Sequence, residues 1–226
     1  MTAWTASGLA LALAGPGLIA LLWKRSTRGR TSPGASALWL AAFILLCAGV
    51  ATTAIRCEHL SWADVGFRGA AWSSVPAGIG LALFFILAFG PIAAWALARF
   101  GSASFDAGRE ALAALPAWYL CLAVTAVAAG EEWLYRGYSI ERLEFLTGNA
   151  WLAALLSLLA FSIAHLPLWG IGVSLTTLAS GGLLTALYLW RRDVSFLILA
   201  HVLTDLHGLV ITPRRAQNQA GARRSR

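Results

Sequence analysis

Residues Phe145–Trp190 read FLTGNAWLAALLSLLAFSIAHLPLWGIGVSLTTLASGGLLTALYLW. The run carries no formal charge and holds a single histidine, His165. A helix that crosses a bilayer needs about 20 apolar residues, so the run is too long for one span and long enough for two. The break is expected across His165-Leu166-Pro167-Leu168-Trp169-Gly170, because proline disfavours helix in the residue before it.

Working outward, further charge-free stretches mark the same kind of element. Met1–Trp23 ends at Lys24 and Arg25, and Thr31–Ile55 ends at Arg56. Gly69–Ala98 lies between Arg68 and Arg99, and Ala111–Gly130 follows Glu110. Val194–Pro213 contains one acid, Asp205. These runs predict seven spans, and Glu131–Thr147, a helix of unspecified depth, allows an eighth. The expected fold class is therefore all-α: a polytopic integral membrane helical bundle of seven to eight transmembrane helices. Residues 1–213 are expected to form one transmembrane domain, with the motif-bearing core at 111–212. Residues 214–226, polar and rich in arginine, are expected to be a disordered basic tail.

Composition agrees. Of 226 residues 59% are hydrophobic and only 12% charged, and mean hydropathy is +0.71. A soluble domain carries about 25% charged residues. So few charges cannot cover a globular surface, which excludes a soluble enzyme, a nucleic-acid binder and a disordered chain. The net charge of +7 sits in loops and tail, a pattern suited to an anionic membrane face. Cys47, Cys57 and Cys121 are scattered and form neither a disulfide framework nor a metal-ligand spacing. One lysine against sixteen arginines reads as the codon bias of a GC-rich genome. The expected location is the bacterial inner membrane, with membrane lipid as a partner and no nucleic acid.

The first basic residues follow the first apolar run, so no signal peptide is expected. The positive-inside rule places Lys24, Arg25, Arg28 and Arg30 in the cytoplasm and the N-terminus outside. Seven spans then put the basic tail in the cytoplasm. Arg191 and Arg192 fit poorly, since they fall on the outer side.

Ionisable groups inside a span are costly, about 2.5–3.5 kcal/mol each on insertion scales, and mark function by default. Three clusters stand out. In Gly130-Glu131-Glu132-Trp133-Leu134-Tyr135-Arg136-Gly137, a turn of about 100° per residue puts Glu131, Tyr135, Glu132 and Arg136 on one broad face. Glu132 and Arg136 stand in the favourable order for an ion pair. Glu131 is left without a local partner, the situation of a general base. Glu141, Arg142 and Glu144 resemble a solvated interfacial end. In the second cluster, Phe161 and His165 lie one turn apart. In the third, His201 and Asp205 do the same, with His207 beyond. Such a His/Asp pair suits a polar link, a catalytic pair, a proton relay or a metal site. One shared polar chamber would satisfy all three clusters better than three separate burials, and water activation is its simplest use.

These segments resemble the CPBP family of intramembrane proteases, the CAAX proteases and bacteriocin-processing enzymes, also called Abi. The family motifs are Glu-Glu-x-x-x-Arg, Phe-x-x-x-His and His-x-x-x-Asn/Asp. They match Glu131, Glu132 and Arg136, then Phe161 and His165, then His201 and Asp205. Leu60–Arg68 resembles an upstream element of bacterial members. The resemblance implies hydrolysis of a peptide bond in a membrane-tethered or hydrophobic peptide or protein. Glu131 and His165 would activate water, and His201 and Asp205 would stabilise the oxyanion. Glu132 and Arg136 would hold the site together, with Phe161 and Tyr135 in support. Where the family has Asn, an ionised Asp205 cannot donate a hydrogen bond, and it would instead orient His201. No cofactor is expected; if a metal were bound, zinc would take Glu131, His165 and His201. Two other readings use the same residues: a non-catalytic immunity or binding protein of the same fold, and a proton-coupled transporter with the carboxylates as relays.

Overall fold

The computed structural model describes residues 3–27, 32–69, 71–100 and 103–213. Arg28, Arg30 and the tail 214–226 lie outside the described residues. Within them the chain is helical and contains no strand. Its eight helices are α1 (Ala3–Thr27), α2 (Pro33–Cys57), α3 (Trp72–Arg99), α4 (Ala103–Ala113), α5 (beginning as Ala117–Glu132), α6 (Ala150–Ala164), α7 (Leu166–Arg191) and α8 (Ser195–Ile211). By length and composition α1, α2, α3 and α7 are long and apolar enough to cross a membrane, while α6 and α8 are shorter and apolar. The chain is an all-α membrane bundle.

The break inside Phe145–Trp190 falls where proline places it. Helix α6 stops at Ala164, and Pro167 occupies the first turn of α7, where its missing N–H costs nothing. Gly170, at φ 78°, then kinks α7 in a conformation that a side chain would strain. The other end of α6 is capped by Asn149, whose side chain accepts from the N–H groups of Trp151 and Leu152.

Glu131–Thr147 is not a separate interfacial helix. It continues α5 without interruption, first as a wider-wound π-type segment over Trp133–Ile140 and then as Glu141–Thr147. Every residue from Glu132 to Ile140 is buried. The Ser157 hydroxyl on α6 donates to the Tyr135 carbonyl at 2.6 Å and fixes this segment against its neighbour. π-wound turns are rare and are frequently found at functional sites.

Around this segment the core divides in two. Leu9, Phe43, Val50, Val65, Leu134, Tyr138 and Phe161 join α1, α2, α5 and α6. Phe85, Ile140, Leu184, Val194 and Leu197 join α3, α5, α7 and α8. Large apolar side chains such as Leu38, Leu45 and Leu87 face outward, as a lipid-facing surface requires.

The loop between α2 and α3 forms a strap across one end of the bundle. Glu58 accepts from Tyr138 at 2.6 Å and Thr5 at 2.8 Å. Arg68 binds Glu141 at 2.7 Å, and the Gly66 carbonyl accepts from the Val194 N–H at 2.8 Å. Glu141 also accepts from Tyr188 at 2.7 Å and meets Arg192 at 3.3 Å, while Arg192 also binds Glu144. Glu141 and Glu144 are thus held in a network and do not form the freely solvated end expected of them. Asp193 accepts from Ser74 at 2.6 Å and caps α8 through the Ser195 N–H. Burial works to raise the Asp193 carboxyl, but these hydrogen bonds outweigh it and hold the group below the usual carboxylate range.

Candidate active site

Three helices meet at the π-wound segment of α5. Glu132, with none of its surface exposed, is the fixed point. Its Oε1 lies 2.9 Å from Nη1 of Arg136 and 2.8 Å from Nδ1 of His201 on α8. The i,i+4 pair read from the sequence therefore forms. It also receives a partner from the third motif that spacing could not reveal.

Arg136 is equally committed. Nη2 donates to the Gly181 carbonyl at 3.3 Å and Nε to Thr185 Oγ1 at 3.4 Å, both on α7. Its guanidinium lies 4.1 Å over the Phe161 ring, a desolvated cation–π contact. A Cβ at Gly181 would stand 3.0 Å from Nη2, so glycine lets the α7 backbone approach the cation.

Phe161 acts as the hub between motifs. Besides Arg136 it meets the Tyr135 ring edge-on at 5.0 Å and the His165 ring edge-on at 4.8 Å. His165 closes α6, and its Nδ1 lies 2.9 Å from the Phe161 carbonyl. A carbonyl only accepts, so Nδ1 carries the proton and Nε2 keeps its lone pair free. The same reasoning gives Nδ1 of His201 a proton directed at Glu132. Nε2 of His201 faces Asp205 at 3.6 Å, which is ion-pair range but too long for a hydrogen bond.

Glu131 differs from its neighbour. It is only partly buried and makes no hydrogen bond or ion pair among the described residues. The charges acting on it are those of His201, Asp205, Glu132 and Arg136. Those of His201, Asp205 and Arg136 also act on His165. The Glu132–His201 contact and the stacking of Phe161 on Arg136 and His165 bring α5, the α6–α7 corner and α8 together at this point. Tyr135 lies there, fully buried, with a hydroxyl that has no partner. All eight residues named from the sequence are brought together; His207 lies further along α8.

The sequence reading missed Ser157, Gly181 and Thr185, whose partners on α5 lie 22 to 49 residues away. Cys47 on α2 packs as a small side chain against this helix. A Cβ on Gly130 would come within 2.9 Å of its sulfur, so Cys47 packs directly behind the Glu-Glu pair. Ser157, Gly181 and Thr185 carry no local signal. Among the described residues no group of three or more His, Cys, Asp or Glu side chains is arranged to hold a metal ion. Glu131, His165 and His201, named as ligands in case of zinc, do not form such a group.

Residues 113–207 match the family model described as type II CAAX prenyl endopeptidase Rce1-like. Among curated proteins and among solved structures none matches the chain. The matched region contains all three motifs, and it supports protease activity of the CAAX type in a multi-pass membrane protein. Over residues 113–207, less than half of the chain, the sequence is thus similar to the CAAX-type proteases.

Proposed function

We propose that the chain is a glutamate-dependent intramembrane endopeptidase that cleaves a membrane-tethered or hydrophobic peptide. The observation that carries this reading is the asymmetry of the two carboxylates. Glu132 is held through Oε1 by Arg136 and His201, and so frames the site, whereas Glu131 is unpartnered and partly accessible.

In this mechanism Nε2 of His165 accepts a hydrogen bond from a water that Glu131 deprotonates. The water oxygen bonds to the peptide carbonyl carbon, and the carbonyl oxygen takes up the negative charge. Nε2–H of His201 donates to that oxyanion, since Asp205 is too distant to engage it fully. Asp205 orients the ring from beyond. Glu131 then passes its proton to the leaving nitrogen as the C–N bond breaks. No metal takes part.

Charge placement supports an orientation. On the strap face, Arg68, Arg142 and Arg192 lie against Glu141, Glu58 and Glu144. Lys24, Arg25, Arg99 and Arg109 lie at the opposite face. The positive-inside rule makes that face cytoplasmic and leaves the N-terminus outside. The setting is the inner membrane of a bacterium.

The test is cleavage of an internally quenched peptide ending in a farnesylated CAAX sequence, by purified enzyme in detergent. It is paired with the membrane peptidome of cells carrying wild-type protein or Glu131→Gln. Cleavage lost in Glu131→Gln, with its products missing from those membranes, is the expected result. Unchanged processing in both assays would end the protease reading.

A further inference from the structure

We infer that Tyr135 is a positioning residue: its hydroxyl is the hydrogen-bond donor that holds the Glu131 carboxylate in place while water is activated. The inference rests on the reading of Glu131 as the base and adds to it the group that aims it.

Tyr135 is 1% exposed, and its hydroxyl makes no hydrogen bond. A buried tyrosine hydroxyl normally finds a partner, and an orphan destabilises the fold. The ring contacts do not require the oxygen, because the edge-to-face contact with Phe161 at 5.0 Å would serve phenylalanine equally well. The oxygen is therefore retained for a partner that the resting arrangement has not engaged.

Glu131 is the acceptor that the helix places one turn away. It precedes Tyr135 by four residues on the same helix, and it too lacks a partner. The charges acting on the Tyr135 hydroxyl are those of Glu131 and Arg136. The other donors around the carboxylate are already committed. Arg136 serves Glu132, the Gly181 carbonyl and Thr185. Nδ1 of His201 serves Glu132, and Nδ1 of His165 serves the Phe161 carbonyl. Nε2 of His201 faces Asp205 at 3.6 Å and is the donor assigned to the oxyanion. The Tyr135 hydroxyl is the uncommitted donor of the set.

The scaffold around Tyr135 also suits an aiming role. The Ser157 hydroxyl holds its backbone carbonyl at 2.6 Å, and the Phe161 ring supports its flank. Phe161 in turn carries His165. One aromatic stack thereby sets the base, through Tyr135, and its imidazole partner in a common frame. A carboxylate without a fixed donor samples several rotamers, and only some present an oxygen to the water between Glu131 and His165. Loss of the donor should slow the chemical step and leave substrate binding unchanged.

The experiment compares wild-type, Tyr135→Phe and Glu131→Gln on the farnesylated CAAX peptide, with thermal unfolding measured in the same detergent. For Tyr135→Phe we expect kcat to fall about 10–100-fold, as for loss of one hydrogen bond to a charged group. KM should stay within about twofold, and Tm should be unchanged or higher because the orphan hydroxyl is gone. Three results would overturn the inference. One is a kcat within about twofold of wild type while Glu131→Gln is inactive. Another is a fall in kcat accompanied by a lower Tm, which marks a packing role. The third is a Glu131→Gln as active as wild type, which removes the parent reading as well.

Discussion

Replacing Arg136 with methionine keeps the buried volume and removes the charge. Arg136 is 1% exposed, and its guanidinium holds Glu132 at 2.9 Å while stacking over Phe161 at 4.1 Å. Without it the Glu132 carboxylate, fully buried and with Oε2 already lacking a partner, is left with His201 alone. Breaking one side of a buried ion pair costs about 3–5 kcal/mol, because the remaining charge is uncompensated. In a chain of this size each kcal/mol is worth about 2–4 °C, so Arg136→Met should lower Tm by about 6–20 °C.

The second half of this prediction separates charge from packing. Adding Glu132→Gln to Arg136→Met removes the stranded carboxylate, so the double variant should melt above the Arg136→Met single. The coupling energy should be about 0.5–3 kcal/mol, read from intrinsic tryptophan fluorescence during thermal unfolding in one detergent. Activity should not return, since His201 loses its anchor in both. Additive losses in the double variant, or an Arg136→Met Tm within about 2 °C of wild type, would refute the claim that this ion pair is the structural keystone.

The remaining predictions probe other links. Glu131→Gln should cut kcat by about 10²–10⁴-fold with little change in Tm, whereas Glu132→Gln should lower both, measured by peptide cleavage and unfolding. Asp205→Asn should retain cleavage within about tenfold, because an amide can still accept near Nε2 of His201; complete inactivity would give Asp205 a charge-dependent role. Gly66→Ala should lose at least about 1–3 kcal/mol from its φ of 95° alone, before the clash of a Cβ 2.8 Å from the Gly137 Cα. The Asp193 carboxyl is depressed in the folded state, so its stabilisation is present above its unfolded value of about 3.9 and lost as pH falls through the folded value. Melting scans from pH 7 down to pH 3 should show that acid loss reduced in Asp193→Asn.

The helices and their breaks were legible because their causes are local. Charge-free length gives a span, and Pro167 with Gly170 ends α6 and bends α7. The motif residues were legible because ionisable groups are rare in such a chain and recur at one-turn spacing. What the spacing could not give was the pairing between motifs. Glu132 and His201 are 69 residues apart, and local spacing gave Glu132 only its Arg136 partner. The poor fit of Arg192 to the positive-inside rule has the same origin. Its partners Glu141 and Glu144 are brought to it by the α5–α6 turn and lie 51 and 48 residues away. Periodicity also could not show that α5 runs on through the site as a π-wound segment, because its apolar pattern fits a helix end equally well.

That segment carries an unusual share of unsatisfied groups. Trp133 Nε1, Tyr135 OH and Ser139 Oγ, with Glu132 Oε2 just before them, are four of the seven buried side-chain atoms without a partner among the described residues. Each such group costs about 1–3 kcal/mol, so the segment is strongly disfavoured when taken alone. Contacts from outside must hold it: Ser157 on the Tyr135 carbonyl, α7 on Arg136, and the strap through Glu58 on Tyr138. The strap lies at the far end of the bundle from the basic loops, so it steadies the segment without standing between it and the cytoplasmic face. Polar atoms left free on a segment clamped from three sides are the expected state of a site that completes its hydrogen bonds only when water and substrate arrive.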